Sequence, residues 1–198
     1  LKSRWPLVLP GARIGLLGGS FNPAHKGHLH ISRVARRRLK LDQVWWLVSP
    51  QNPLKSKLGM APLTDRVKMA RKIAADPRIV VSDIETQLGT RFSVDTIRAL
   101  QHHYPAVTFV WLMGSDNLAG FHHWHEWQKI ARMVGIGVIA RPCVAHALVS
   151  PFVRRFRFAR TRPLSHPPAW RYLLSKLHPA SATEIRATGR WRPEGKLS

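Results

Sequence analysis

The chain has 198 residues, 44% of them hydrophobic, enough to bury a sizeable core, so disorder is excluded and one domain, or one with a small appendage, is expected. Its single cysteine, Cys143, rules out an internal disulfide and points to a reducing cytoplasm. A formal charge of +22, from 32 Lys and Arg against 10 acids, predicts attraction to polyanions, which fits a nucleic-acid binder, an acidic-membrane binder or an enzyme of phosphorylated substrates.

Residues 1–12 read as an N-terminal extension, whose apolar Leu7-Val8-Leu9 is too short and too broken by Pro6 and Pro10 for a signal peptide. No apolar run reaches the ~18 residues of a membrane-spanning helix, and no membrane partner is expected. Arg13 to Leu17 reads as a buried strand. Behind it comes Gly18-Gly19-Ser20-Phe21-Asn22-Pro23-Ala24-His25-Lys26-Gly27-His28, and then a helix carrying Leu29, Ile31, Val34, Ala35 and Leu39. A glycine-rich turn between a strand end and a helix start is where nucleotide phosphates bind in open α/β sheets. His25 and His28, three residues apart at the helix start, point the same way. Lys26 either holds a phosphate or faces solvent.

Val44 to Val48 is a second strand, followed by a proline-punctuated loop through Lys55. Thr64 is the expected N-cap of a helix bearing Val67, Met69, Ala70 and Ile73. Ile79 to Val81 forms a third strand, Ser93 to His102 a helix, and Val107 to Leu112 a fourth strand, with Gly114-Ser115-Asp116-Asn117 at its carboxyl end. Asp116 there is either a functional acid or a helix cap. Residues 121–132 read as one helix bringing Trp124, Trp127 and Ile130 inward, and Gly135 to Ala140 as a fifth strand. His122, His123 and His125 lack the matching Cys or acidic ligands of a metal site.

From Ala145 onward, Leu148, Val149, Phe152 and Phe156 form an apolar stripe under Arg154, Arg155 and Arg157, an amphipathic helix with a solvated basic face. Trp170 to Leu174 is a last strand. Ser181 and Glu184 are spaced as a capping box for a final helix, ended by Gly189. Strand and helix alternate throughout, which predicts an α/β fold: a Rossmann-like, doubly wound parallel sheet with a small C-terminal helical subdomain. The expected division is a core of residues 13–142 and a C-terminal part of 143–198.

Taken in order and spacing, GGSFNPAHKGH, SPQNPLK, TDRVKMA, RFSVDTI, GSDNLAGFHHWHEW and SATEIR resemble the nucleotidyltransferase superfamily with its (H/T)xGH motif, and within it the bacterial nicotinate mononucleotide adenylyltransferases. The match spans roughly residues 12–190. It implies that His25, His28 and Arg186 are catalytic contacts to ATP phosphates, with Gly18, Gly19, Ser20 and Phe21 lining the nucleotide. Ser181, Thr183 and Ile185 belong to the second ATP motif, so the C-terminal part completes the ATP site. Asp116 lies near the dinucleotide ribose and adenylate, and Lys55, Gly114 and Asp116 border the substrate. Trp124 stacks on the pyridine ring, while Phe92 and Ser93 receive the nicotinate carboxylate. Departures from the commoner pattern are Ser20 for threonine, Asn22 for aspartate, Phe92 and Ser93 for a tyrosine and threonine pair, Ala182 for serine and Leu54 for histidine.

The implied reaction is attack of the 5′-phosphate of nicotinate mononucleotide on the α-phosphorus of ATP. A phosphate monoester with a second pKa near ~6 is already ionised at neutral pH, so no general base is needed. Mg²⁺ is expected on the ATP phosphates, with no protein ligand of its own. No specific nucleic-acid partner is expected. The rival readings are a 4′-phosphopantetheine adenylyltransferase and a nonenzymatic nucleic-acid binder.

Overall fold

The computed structural model describes residues 5–50, 59–142, 145–175, 180 and 182–188. Six strands, β1 (Arg13–Gly19), β2 (Gln43–Val48), β3 (Ile79–Ser82), β4 (Thr108–Gly114), β5 (Gly135–Ile139) and β6 (Trp170–Leu173), form one sheet in the order β3-β2-β1-β4-β5-β6. Every neighbouring pair is parallel. The order reverses between β1 and β4, and in such sheets the crevice at the carboxyl ends of these two strands is where ligands bind.

The strands are apolar on both faces because both faces are covered. Ile14 and Leu16 of β1, Trp45 and Leu47 of β2 and Phe109, Trp111 and Met113 of β4 point into one core. Leu17, then Val44, Trp46 and Val48, then Val110 and Leu112, point into the other. The second core is closed by α1 (Lys26–Arg38) and α2 (Leu63–Ile73), through Ile31, Val34, Ala35, Val67 and Ala70. The first is closed by α3 (Ile84–Leu88), α4 (Ser93–His103), α5 (Ser115–Gly120), α6 (Trp127–Met133) and α7 (Pro151–Arg155). The last helix, α8 (Ala182–Ala187), follows β6. The doubly wound, Rossmann-like architecture is the expected one. Among the described residues no helix is long and apolar enough to cross a membrane.

Three local expectations are corrected, and one helix is added. Thr64 is not the N-cap of α2: Pro62 holds that position, its carbonyl accepting from the Arg66 N–H at 3.1 Å, so the helix starts two residues earlier. The expected helix over 121–132 is broken into a 3-10 turn, Phe121–His123, and α6. The break occurs because Trp124 is extended (ψ 142°) and Glu126 is left-handed (φ 49°). The amphipathic segment is likewise divided, by Ser150-Pro151, into a 3-10 turn (Ala145–Val149), α7 and a second 3-10 turn (Arg157–Arg160). Phe152 and Phe156 are buried as expected, but Leu148 and Val149 are exposed, lying on the first 3-10 turn and not on one helical face with the two phenylalanines. Finally, α3 carries no helical periodicity in five residues and was not expected. The capping box at Ser181 and the stop at Gly189 lie outside the described residues.

Candidate active site

The centre of the site is the junction of β1 and α1. His25 is the N-cap of α1, and its Nδ1 accepts from the Gly27 N–H at 3.1 Å. His28 returns the bond, its Nδ1 accepting from the His25 N–H at 3.2 Å. This is a capping box built from two imidazoles, which satisfies two otherwise unpaired helix N–H groups. It also sets the tautomer. A ring nitrogen that accepts from a backbone N–H carries no proton, so in each neutral ring the proton is on Nε2. The two rings lie 3.9 Å apart, centre to centre, and His25 is 5% exposed. Gly27 is glycine because a Cβ there would come within 2.8 Å of the His25 ring.

Neighbouring groups hold this junction still. Trp46 of β2 donates its Nε1–H to the Ser32 hydroxyl at 2.7 Å, and Ser32 in turn donates to the His28 carbonyl at 2.9 Å. Phe21 stacks on Trp46 at 5.1 Å and contacts the His28 ring at 4.6 Å. Its ring is buried, so it braces His28 from behind. Arg66, 1% exposed, donates to the carbonyls of Ser20 and Ser49 (both 2.7 Å), Ala61 (2.9 Å) and Pro50 (3.1 Å). A buried guanidinium surrounded by carbonyls ties the loop after β1 to the end of β2. Burial pulls its pKa below the ordinary value. The side chain of Asn22 donates to the Gly59 carbonyl at 3.0 Å and accepts from the Ala61 N–H at 3.1 Å, fixing the same loop from the other side.

Distant segments complete the rim. Arg186 of α8 donates to the Asn22 carbonyl and, at 3.4 Å, to the Thr183 hydroxyl. Ile185 is half-buried on the same helix. Gly114 ends β4 and Asp116 lies in the first turn of α5, where its carboxylate is 3.4 Å from the Arg141 guanidinium. Arg141 also donates to the Ala180 carbonyl at 2.8 Å, and its own N–H donates to the buried Ser115 hydroxyl at 3.0 Å. A Cβ on Gly114 would meet the Asp116 carboxylate and the Arg141 side chain, so glycine is what lets these two groups close over the strand end.

The loop that leads into the histidine cap borders a cavity of about 280 Å³, whose wall includes Gly18, Gly19, Ser20, Phe92, Ser93 and Trp124. Phe92 is the N-cap of α4 and Ser93 its first residue. The helix break after Phe121–His123 frees Trp124 from a helix and stands it edge-on to Trp111 at 5.9 Å, while the His125 ring packs at a tilt against Phe92 at 4.2 Å. A Cβ on Gly18 would lie 2.7 Å from the Trp111 ring, which explains the glycine.

Glu85 lines the same cavity and is 8% exposed, with the hydroxyls of Ser49 and Thr96 donating to its carboxylate. Burial pushes its pKa up to about 7, against the pull of those two bonds.

The structure therefore gathers Gly18, Gly19, Ser20, Phe92, Ser93 and Trp124 around one cavity, caps α1 with His25 and His28, and brings Arg186, with Thr183, to the Asn22 carbonyl of the loop between them. Gly114 and Asp116 sit on the adjoining strand end. Lys55 and Ser181 lie outside the described residues. His122 and His123 pack ring to ring at 3.9 Å, and among the described residues no three metal-ligating side chains assemble. Sequence reasoning did not single out Arg66, Glu85 or Arg141. Arg66 was legible only as a charged position on the expected second helix, and Glu85 had no signal at all, since α3 shows no helical periodicity.

A parallel sheet with a histidine-capped helix at its switch point defines a nucleotidyl-transferring α/β protein, and the cytidylyltransferase-like family model matches residues 16–188. The chain belongs to that family. Among its relatives are probable nicotinate-nucleotide adenylyltransferases of Cereibacter sphaeroides, 52% identical over 90% of this chain and 99% of that one, and of Parvibaculum lavamentivorans, 50% identical over 96% and 98%. The fold is shared with the nicotinic acid mononucleotide adenylyltransferase of Plasmodium falciparum, solved with APC and with NaAD. In both cases the TM-score is 0.69, over 89% of this chain and 83% of that one, at 16% and 17% identity.

Proposed function

We propose that this enzyme transfers the adenylyl group of ATP to nicotinate mononucleotide, releasing pyrophosphate and nicotinate adenine dinucleotide. The observation that carries the reading is the loop after β1: its Gly18, Gly19 and Ser20 line the cavity shared with Phe92, Ser93 and Trp124, and the same loop runs on into the two-histidine cap. One feature suits a polyphosphate and the other a flat ring. The names of the relatives agree with it.

The 5′-phosphate of the mononucleotide attacks the α-phosphorus in line, forming the new P–O bond as the bond to pyrophosphate breaks. No general base takes part, since the nucleophile is already ionised. What remains is positioning and stabilisation of charge on the transferred and departing oxygens. The Nε2–H groups of His25 and His28, oriented by their capped Nδ1 atoms, donate to phosphate oxygens. Arg186, with Thr183 beside it, grips the polyphosphate, and the C-terminal part 143–198 thereby completes the ATP site. Asp116 meets the adenylate ribose, Trp124 stacks on the pyridine and the start of α4 receives its carboxylate. Lys55 and Ser181 are assigned to substrate and ATP respectively on the motif alone.

The donors on this rim are imidazole, guanidinium and hydroxyl groups, and its carboxylate, Asp116, is engaged by Arg141. Mg²⁺ would therefore be held through substrate phosphates and water and not by a protein ligand, and would supply charge neutralisation there. We assign the enzyme to the cytoplasm, with ATP and nicotinate mononucleotide as its partners and without a specific nucleic-acid ligand.

The test is adenylyl transfer measured with ATP and Mg²⁺ on nicotinate mononucleotide, nicotinamide mononucleotide and 4′-phosphopantetheine. Preferential turnover of the first is expected. Turnover of the last alone overturns the reading.

A further inference from the structure

Glu85 is a buried carboxyl in the wall of the substrate cavity, and nothing in the transfer step employs it. We propose that Glu85 is a specificity-determining residue of the cavity: protonated, it admits a ring bearing a carboxylate, and ionised, it opposes that substituent while leaving a neutral carboxamide unaffected. The inference rests on the assignment of the cavity to the pyridine nucleotide.

The carboxyl is pinned from two sides. Thr96 of α4 donates to it at 3.2 Å, and Thr96 itself lies 2.9 Å from the Thr90 hydroxyl. Ser49, at the end of β2, supplies the second hydroxyl. The helix that carries Thr96 begins with Phe92 and Ser93, so Glu85 is attached to the element that presents the cavity wall. Its group is therefore held in place as the wall is formed.

Among the described residues Glu85 makes no ion pair. The charged groups around it pair elsewhere or share the cavity wall with it, as Arg91, His123 and His125 do. Asp95 and Arg98 on α4 pair with each other at 2.8 Å. Arg91, on the loop before α4, places its guanidinium over the Phe92 ring at 5.6 Å. His123 and His125 approach from the segment that carries Trp124, and Asp83 precedes α3. From β2 the partner is a hydroxyl. Loss of the Glu85 proton thus changes the cavity's charge by one unit at a fixed, poorly hydrated position, where a like charge on the ligand is felt strongly. Burial sets that event near neutral pH.

The experiment measures kcat/KM for nicotinate mononucleotide and nicotinamide mononucleotide, with ATP and Mg²⁺, from pH 6 to 8.5 in the wild type and in Glu85→Gln. Both substrates carry the same 5′-phosphate, so its titration cancels in their ratio. In the wild type the acid-to-amide ratio is expected to fall by about tenfold as pH rises through neutrality. In Glu85→Gln that fall is absent. Any contribution from His123 or His125 survives in the variant and is thereby separated.

A flat wild-type ratio, or the same slope in both proteins, overturns the proposal while leaving the activity assigned. Absence of turnover with either mononucleotide overturns the cavity assignment and this inference with it. Thr96→Val guards against a misfolded Glu85→Gln. It removes a bond to the ionised form, so the midpoint of the ratio should move to higher pH, and an unmoved midpoint counts against Glu85.

Discussion

Arg141 and Asp116 form a tie between two distant parts of the chain: their side chains lie 3.4 Å apart, and the same guanidinium holds the Ala180 carbonyl at 2.8 Å. The pair joins the end of β4 to the segment leading into α8. Gly114 makes the approach feasible. Gly114→Ala is therefore expected to push these groups apart, costing roughly 1–3 kcal/mol of stability and raising KM for ATP more than it lowers kcat. Urea denaturation and steady-state kinetics check both parts. An unchanged KM would separate Asp116 and Arg141 from the nucleotide.

The two roles of His25 are separable. Asparagine caps helices well but has no imidazole, so His25→Asn should hold stability within about 0.5 kcal/mol of the wild type. Adenylyl transfer should nevertheless fall by roughly 10²-fold or more, as for loss of a donor to developing charge. His25→Ala should lose activity and also about 1 kcal/mol of stability. Equal activity of the Asn and wild-type proteins would confine His25 to capping.

Arg66 supports the loop after β1 without being placed among the residues that touch substrate. Replacement by methionine fills much of the volume but strands the carbonyls of Ser20, Ser49, Pro50 and Ala61. Arg66→Met should destabilise by about 3 kcal/mol or more, measured by chemical denaturation. A loss below about 1 kcal/mol would mean that those carbonyls find other donors.

Glu85 also leaves a signature in stability. Its folded value of about 7 exceeds the ordinary 4.5, so the folded protein retains a proton that the unfolded chain releases. The contribution is fully present below pH about 4.5 and is lost as pH rises through about 7, reaching on the order of 3 kcal/mol. Relative to the wild type, Glu85→Gln should gain stability across that window and plateau above it. Denaturation midpoints of both proteins at pH 4.5, 6 and 8 test the sign.

Arg186 is expected to act on ATP rather than on the pyridine nucleotide. Arg186→Ala should raise KM for ATP about tenfold or more and leave KM for nicotinate mononucleotide within about twofold. The reverse pattern would reassign α8.

The fold was legible because its strands are unbroken apolar runs and its helices carry 3.6-residue periodicity. The β1 to α1 junction was legible for a related reason: glycines and histidines at a strand end have few other uses. Trp124 shows the limit. Periodicity placed it inside a helix, whereas the left-handed Glu126 and the extended Trp124 interrupt that helix and swing the indole to the cavity. Nothing in residues 121–132 alone specifies a positive φ at a glutamate. Arg66, Glu85 and Arg141 were missed for a different reason. Their partners, backbone carbonyls, hydroxyls and, for Arg141, the Asp116 carboxylate, come from remote segments of the chain, and such pairings have no spacing to read.

The bond from Arg186 to the Asn22 carbonyl spans 164 residues of sequence. During synthesis the sheet strands and the two-histidine cap can form early, but the polyphosphate grip must wait until α8 has emerged and found the opening loop. A chain halted before that point would hold half of the machinery on a folded scaffold. Activity is therefore expected to appear last, after the protein has already acquired most of its stability.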